Sequence, residues 1–350
     1  MKTAMFYGGP DVRVEEVPTP VPGPGEVTVR VRAAGICGSD LHGYRQARPG
    51  VSYPIRAGHE LSGEILEIGP GVTGLAVGQR VGIEPMHLLG CGSCTQCQRG
   101  DYHICPRRGQ RGGKSLHSSG FSECDVVAAS NVFPLPDHVS LEEAAILDVY
   151  AVAVHGVNRL PVKPYHSVVI LGTGAVGLTQ GQVARALGAR QVIVVGQRDE
   201  PLEIARACGA ADAVVNASKV DPVRAVFDLT AGEGADVVFE TVGGKANTIQ
   251  QGCDMAAYGG KVGVVGLFVE PASIDTRPAM RKEIEIRWVN SYSTWDGVRE
   301  FQIALDLLAK GAVQARPLIT HRVPLDLVAE GFAWANDKRG SGAIKVLVIP

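Results

Sequence analysis

Cys91, Cys94, Cys97 and Cys105 stand in the order C-x2-C-x2-C-x7-C. They are close enough along the chain for four thiolates to surround one tetrahedral ion. A site of that kind is closed, because protein fills every coordination position and none is left for substrate. Its work is to hold a lobe together. Two disulfides or a redox Cys-x-x-Cys are the other uses such cysteines have. A redox motif sits at a strand–helix junction, whereas this run, LLGCGSCTQCQRGDYHIC, is glycine-rich and lacks apolar periodicity. The spacing predicts a structural zinc lobe over about residues 88–106.

A second group is spread more widely. Cys37-Gly-Ser39-Asp40-Leu-His42 follows a strand-like run, and His59-Glu60 lies in AGHELSG after a turn-like segment. A cysteine and a histidine from different loops, with carboxylates beside them, can make an open zinc site. Three protein ligands then leave the fourth position for water or substrate. Taken singly, Cys37 also reads as a buried thiol and His59 as a core histidine. Their joint placement ahead of the four-cysteine run favours the metal.

The third feature is Gly172-Thr-Gly174-Ala175-Val176-Gly177, which follows the strand pattern VVIL and opens an amphipathic helix. That context turns a weak glycine motif into a dinucleotide fingerprint. Gly172 permits a tight turn, Gly174 lets backbone approach a pyrophosphate at the helix N-terminus, and Gly177 lets helix and sheet lie close. In NAD proteins a carboxylate ends the next strand and takes the adenosine ribose. Here VIVV runs into Gly196-Gln197-Arg198, and the first acid is Asp199. Room at Gly196 and a guanidinium at Arg198 suit a 2′-phosphate, so the expected cofactor is NADP rather than NAD.

These features need elements to position them. The chain has 350 residues, enough for two domains, and a net charge of −2 without long runs of one sign. Nothing in it suggests nucleic-acid or membrane-surface binding. No signal-peptide core and no apolar run near the roughly 20 residues of a membrane span is visible. With eight cysteines, this points to the reducing cytoplasm. The first half is strand-like and punctuated by Gly and Pro. Residues 27–31 (VTVRV) alternate, 61–68 (LSGEILEI) are similar, and 18–25 (PTPVPGPG) make a turn between strands. A helix is expected over 141–158. A β-α alternation follows, with strands at 166–171, 191–195, 214–215, 236–240 and 261–265 and helices between them. That rhythm predicts an α/β, doubly wound parallel sheet. The last sixty residues revert to mixed structure and are expected to pack on the first domain. The expected division is thus 1–150 with 287–350, and 151–286.

Together ICGSDLH, AGHE, the four-cysteine run and GTGAVG resemble the zinc-dependent medium-chain alcohol dehydrogenases, in particular the sorbitol, threonine and butanediol branch. The likeness spans essentially the whole chain. It implies a GroES-like β-rich catalytic domain built from both chain ends, a Rossmann domain between them, two zinc ions per chain, and assembly as a homodimer or homotetramer. It also implies roles. Cys37 and His59 match the catalytic zinc ligands, and Glu60 matches a glutamate that coordinates directly or intermittently. Asp148, in AAILDVY, matches a further ligand position where many relatives have Glu-Pro; Asp is one methylene shorter. Ser39 matches the hydroxyl that takes the substrate proton, His42 the residue that passes it on, and Asp40 the carboxylate that orients His59. Cys91, Cys94, Cys97 and Cys105 match the structural zinc lobe.

The expected function is therefore hydride transfer between a secondary alcohol (polyol, sugar or amino alcohol) and NADP, giving a ketone. Rival readings are the same reaction with NAD on a simple alcohol or threonine-like substrate, a zinc-free quinone reductase, and an inactive NADPH-binding relative. Arg111 and Lys114 are candidates for contacting an anionic or polyhydroxylated substrate. Lys345, in the last strand, is a weaker candidate for cofactor phosphates. His155 reads as a core residue.

Overall fold

The computed structural model describes residues 1–86, 90–108 and 119–350. By backbone packing the chain divides into Met1–Asp148 with Ile319–Pro350, and Val149–Leu318. Among the described residues no helix is long and apolar enough to cross a membrane.

In the first unit the alternating run becomes the strand Glu26–Gly35. Val27, Val29 and Val31 are buried while Arg30 and Arg32 face solvent, as period-2 patterning requires. This strand is the spine of a seven-stranded sheet. It pairs antiparallel with Glu60–Ile68, with Cys124–Ala128, and with Lys345–Ile349 from the far end of the chain. Both chain ends therefore meet in one sheet. A cluster including Leu61, Ile65, Val81, Phe121, Phe332 and Val346 packs on it, with the Phe332 ring edge-on to Phe6 and Phe121 at 5.2 and 5.5 Å.

The helix expected over 141–158 is two helices. Leu141–Ala145 starts at Ser140, whose Oγ accepts from Glu143 N while Glu143 Oε2 accepts from Ser140 N, each at 3.2 Å. It ends at Ile146, and Leu147–Arg159 begins afresh, which puts Asp148 in a first turn.

The second unit is built on six parallel strands. In spatial order they are Ala213–Asn216, Gln191–Gly196, Ser167–Leu171, Ala235–Glu240, Ala256–Val264 and Glu285–Trp288. Numbered along the chain this is 3-2-1-4-5-6, the doubly wound arrangement expected of a dinucleotide fold. Every residue of Ser167–Leu171 is buried, because helices cover both faces of the sheet.

The boundary expected at residue 287 is displaced, since residues 287–318 belong to the second unit. Glu285–Trp288 adds the sixth strand beside Ala256–Val264. The next helix, Glu300–Ala309, is fixed by a fully buried Glu300. Its carboxylate lies 2.8 Å from His155 Nδ1 and accepts from Asn158 Nδ2 (2.7 Å) and Ser293 N (2.6 Å). Gln182 exchanges hydrogen bonds with the backbone of Gln314. His155 is a core residue, as expected, but one held by an acid. Composition assigns a glutamate to the surface, which is why the sequence hid this link. Glu300→Ala is expected to destabilise the protein by about 3–5 kcal/mol, because it strands buried donors. A lowered urea midpoint checks it.

Candidate functional site

The strand pairing sets the first cluster. Glu60 lies opposite Gly35 in the register, so His59 falls across from the segment that leaves Gly35 for Cys37. A Cβ at residue 35 would stand 2.1 Å from Glu60 Oε2, so a side chain there would displace that carboxylate. After Cys37 the helix Gly38–Arg45 starts, with Asp40 Oδ2 accepting from Cys37 N at 2.9 Å. Cys37 Sγ, a His59 ring nitrogen and a Glu60 carboxylate oxygen all lie within 4.8 Å of one another. Thiolate, imidazole and carboxylate together are a donor set that zinc takes.

Asp40 and Ser39 flank this group. Asp40 Oδ1 is 3.5 Å from His59 Nδ1, and Ser39 Oγ is 3.5 Å from His59 Nε2. Burial alone would lower the His59 pKa, but the charges of Asp40 and Cys37 outweigh it and raise it well above the ordinary value. His42 lies one turn beyond Ser39 on the same helix. Burial, with Arg45 and Arg48 nearby, holds its pKa below the ordinary value.

Asp148 is buried in the first turn of Leu147–Arg159, and its charge helps to raise the pKa of Lys345, which pairs with Glu60; the trio drawn together within 4.8 Å is Cys37, His59 and Glu60. Lys345 itself is a residue the sequence reading misplaced. Its Nζ lies 2.8 Å from both Glu60 oxygens and 3.2 Å from Ile36 O. Burial works against its charge, yet Glu60 and Cys37 prevail and raise its pKa. A lone lysine in the apolar run KVLVI was the available signal, since an unpaired ammonium is not buried in a sheet.

The four-cysteine lobe fits a tetrahedral ion. All four sulfurs lie within 4.8 Å of one another, and Cys94 Sγ is 3.7 Å from Cys105 Sγ. Sulfurs bound about 2.3 Å from a shared zinc stand roughly 3.8 Å apart. All eight cysteines are free, so disulfides do not explain the spacing. Backbone N–H groups of Cys91 and Arg107 point at Cys105 Sγ, each at 3.3 Å. A backbone hydrogen bond from Ser93 pushes the Cys91 thiol down to about 5, while burial pushes Cys97 up to about 12. Short helix Thr95–Gln98 and the buried bond from Tyr102 Oη to Glu84 Oε1 (2.7 Å) frame the lobe. Arg111 and Lys114 lie outside the described residues.

In the second unit the glycine turn joins Ser167–Leu171 to the helix Ala175–Ala186, with Gly174 at the helix N-cap. Gly172 has φ +117°, a conformation L side chains rarely adopt. A Cβ on Gly177 would meet Gly172 O at 2.1 Å, so the helix is pressed onto the turn. Ala175 and Val176 form its first turn. Two residues unmarked by the motif complete this corner. Thr241 Oγ1 donates to Leu171 O at 2.7 Å, and Glu240 Oε1 accepts from Val242 N, Gly243 N and Thr248 Oγ1.

At the next strand end Gly196 is buried, and a Cβ there would meet Thr173 Cγ2 at 2.5 Å. Gln197 is exposed, and Arg198 is the residue from which the helix Asp199–Ala207 starts. Asp199 is held by Lys219 Nζ and Asn216 Nδ2, each at 2.7 Å, and the Lys219 hydrogen bond keeps its pKa low.

Comparison with known proteins agrees with these two units. The family model for the alcohol dehydrogenase GroES-like domain matches residues 23–137, and that for zinc-binding dehydrogenases matches 175–310. The chain is 34% identical to L-idonate 5-dehydrogenase of Vitis vinifera, over 98% of this chain and 93% of that protein. Two solved structures superpose with a TM-score of 0.88. One is a zinc-binding dehydrogenase from Sinorhizobium meliloti 1021 bound to NADP, at 30% identity over 100% of this chain and 99% of that one. The other is a short chain alcohol dehydrogenase from E. coli CFT073 complexed with NADH, at 28% identity with the same coverage. The chain belongs to the zinc-dependent medium-chain alcohol dehydrogenase family, whose members are NAD(P)-dependent oxidoreductases of CH–OH groups on small molecules.

Gly177→Ala is expected to destabilise the fold by about 1–3 kcal/mol and to weaken dinucleotide binding, because the added methyl overlaps Gly172 O. Thermal unfolding and cofactor titration check it.

Proposed function

We propose that this protein oxidises a secondary alcohol of a polyol, sugar or amino alcohol to the ketone with NADP, and catalyses the reverse reduction. The observation that carries this reading is the meeting of Cys37, His59 and Glu60 within 4.8 Å of one another, beside Ser39. Cys37, His59 and Glu60 would hold a catalytic zinc, and Cys91, Cys94, Cys97 and Cys105 a structural one. Asp148, buried in the first turn of Leu147–Arg159, would add a further ligand or a water-mediated contact. Gly172, Gly174, Ala175, Val176 and Gly177 would hold the pyrophosphate, with Gly196, Gln197 and Arg198 at the adenosine end. When bound, the catalytic ion and the dinucleotide supply Lewis acidity toward an alcohol oxygen and a hydride acceptor.

The chain's own residues manage the proton. Asp40, facing His59 Nδ1, leaves Nε2 as the nitrogen for the ion. Ser39 Oγ, beside that nitrogen, takes the hydroxyl proton. Burial, with Arg45 and Arg48 nearby, lowers the His42 pKa and so favours the neutral imidazole, whose lone pair would receive that proton and pass it to water. Glu60, held by Lys345, keeps a carboxylate at the site.

Support for NADP comes from Gly196 where NAD proteins place an acid, from the ties that occupy Asp199, and from the Sinorhizobium relative. The E. coli relative with NADH keeps the NAD reading as the alternative. L-idonate dehydrogenase supports a polyhydroxylated substrate. The edge strand Glu285–Trp288, with Trp288 70% exposed, supports self-association as a homodimer or homotetramer. Four thiolates that must stay reduced suit the cytoplasm.

Metal analysis is expected to find two zinc ions per chain, and a panel of polyols, sugars and amino alcohols to turn over faster with NADP than NAD. Ser39→Ala is expected to lower kcat by about 10²-fold or more, with the metal content unchanged. Absence of zinc would favour the quinone reductase reading, and zinc without any turnover the inactive relative.

A further inference from the structure

We infer that Lys219 is a specificity-determining residue for the adenosine end of the dinucleotide: it supplies, with Arg198, a second cation for a 2′-phosphate, and it disarms Asp199 as a ribose acceptor. This inference rests on the NADP reading above.

The topology puts Lys219 in the right place. Gln191–Gly196 and Ala213–Asn216 are neighbouring parallel strands, with Gly196 opposite Asn216 in the register. Ala217 N donates to Gly196 O at 2.7 Å, so residues 216–219 run alongside 196–199 at the carboxyl ends of the strands. Ligands of doubly wound sheets bind at those ends. The loop is ordered by its own hydrogen bonds. Asn216 O accepts from Lys219 N (3.0 Å) and Val220 N (3.2 Å), while Asn216 Oδ1 accepts from Ser218 N (3.0 Å) and Ser218 Oγ (2.6 Å). The Lys219 ammonium is thus delivered to the end of the second strand.

The charges then decide what that corner can take. Both Asp199 oxygens are engaged, Oδ1 by Asn216 Nδ2 and Oδ2 by Lys219 Nζ. A carboxylate with one donor on each oxygen has given up about half of its acceptor sites, and its charge is offset where a phosphate would otherwise be repelled. The Lys219–Asp199 pair is exposed, 62% and 57%, and exposed pairs contribute little to stability. Lys219 can therefore change partner from one carboxylate to a dianionic phosphate with small loss. Lysine serves a phosphate as a mobile point charge, complementing the planar fork of Arg198.

The test uses the full-length protein and two adenosine probes, 2′,5′-ADP and 5′-AMP, titrated by calorimetry at one ionic strength. The unaltered protein is expected to bind 2′,5′-ADP at least tenfold more tightly than 5′-AMP. Lys219→Gln is expected to weaken 2′,5′-ADP about tenfold and leave 5′-AMP unchanged, with Lys219→Arg restoring most of the loss. Asp199→Asn is expected to leave 5′-AMP unchanged and 2′,5′-ADP equal or tighter. If the unaltered protein prefers 2′,5′-ADP but Lys219→Gln keeps that preference, or weakens both probes alike, Lys219 is only a surface ion-pair partner and the inference fails alone. If the unaltered protein does not prefer 2′,5′-ADP and Asp199→Asn loses 5′-AMP affinity, Asp199 takes the ribose and the NADP reading falls with it.

Discussion

Glu60 and Lys345 form an ion pair that is almost wholly removed from water, 0% and 3% exposed, joining the start of one strand to the last strand of the chain. Taking both charges out of solvent is unfavourable unless each is fully satisfied. Here the ammonium has two carboxylate oxygens and a backbone carbonyl, and Gly35 leaves the space the carboxylate needs. The pair is matched by the register that sets Glu60 against Gly35. A slip by one residue would turn Glu60 to the opposite face of the sheet and separate His59 from Cys37. The cluster of sulfur, nitrogen and oxygen donors thus depends on a strand pairing, and the ion pair gives that pairing a single solution.

Glycine does comparable work in the second unit, through absence of a side chain. Gly172, Gly177 and Gly196 each stand where a Cβ would collide with backbone or with Thr173 or Thr241. What they create is a shallow corner in which backbone N–H groups and a helix N-terminus can reach an anion. Glu240 then shapes the adjoining turn by accepting from two backbone N–H groups and a hydroxyl. Glu240 thus holds backbone in place, whereas Glu60 of the first unit brings a carboxylate to Cys37 and His59.

Buried acids recur as fasteners. Glu300 draws Asn158, Ser293 and His155 together within the second unit. Replacing such pairs with hydrocarbon is often neutral for stability, whereas removing one partner leaves the other charge buried and uncompensated.

The amino-acid sequence alone determined the local parts: the period-2 runs, the β-α rhythm, the glycine turn, and the four cysteines whose spacing brings their sulfurs together. These are legible because each is set by neighbours within a few residues. Cys37 with His59 was readable only as a pattern, since 22 positions separate them and a register joins them. What tertiary structure decided was everything that depends on distant partners. The helix expected over 141–158 breaks at Ile146, which puts Asp148 in the first turn of a new helix. Lys345 faces Glu60, 285 residues away, and Lys219 faces Asp199 across two strands. Whether a charged side chain is solvated or paired is settled by what the fold places within about 3 Å of it, and no local window of sequence contains that information.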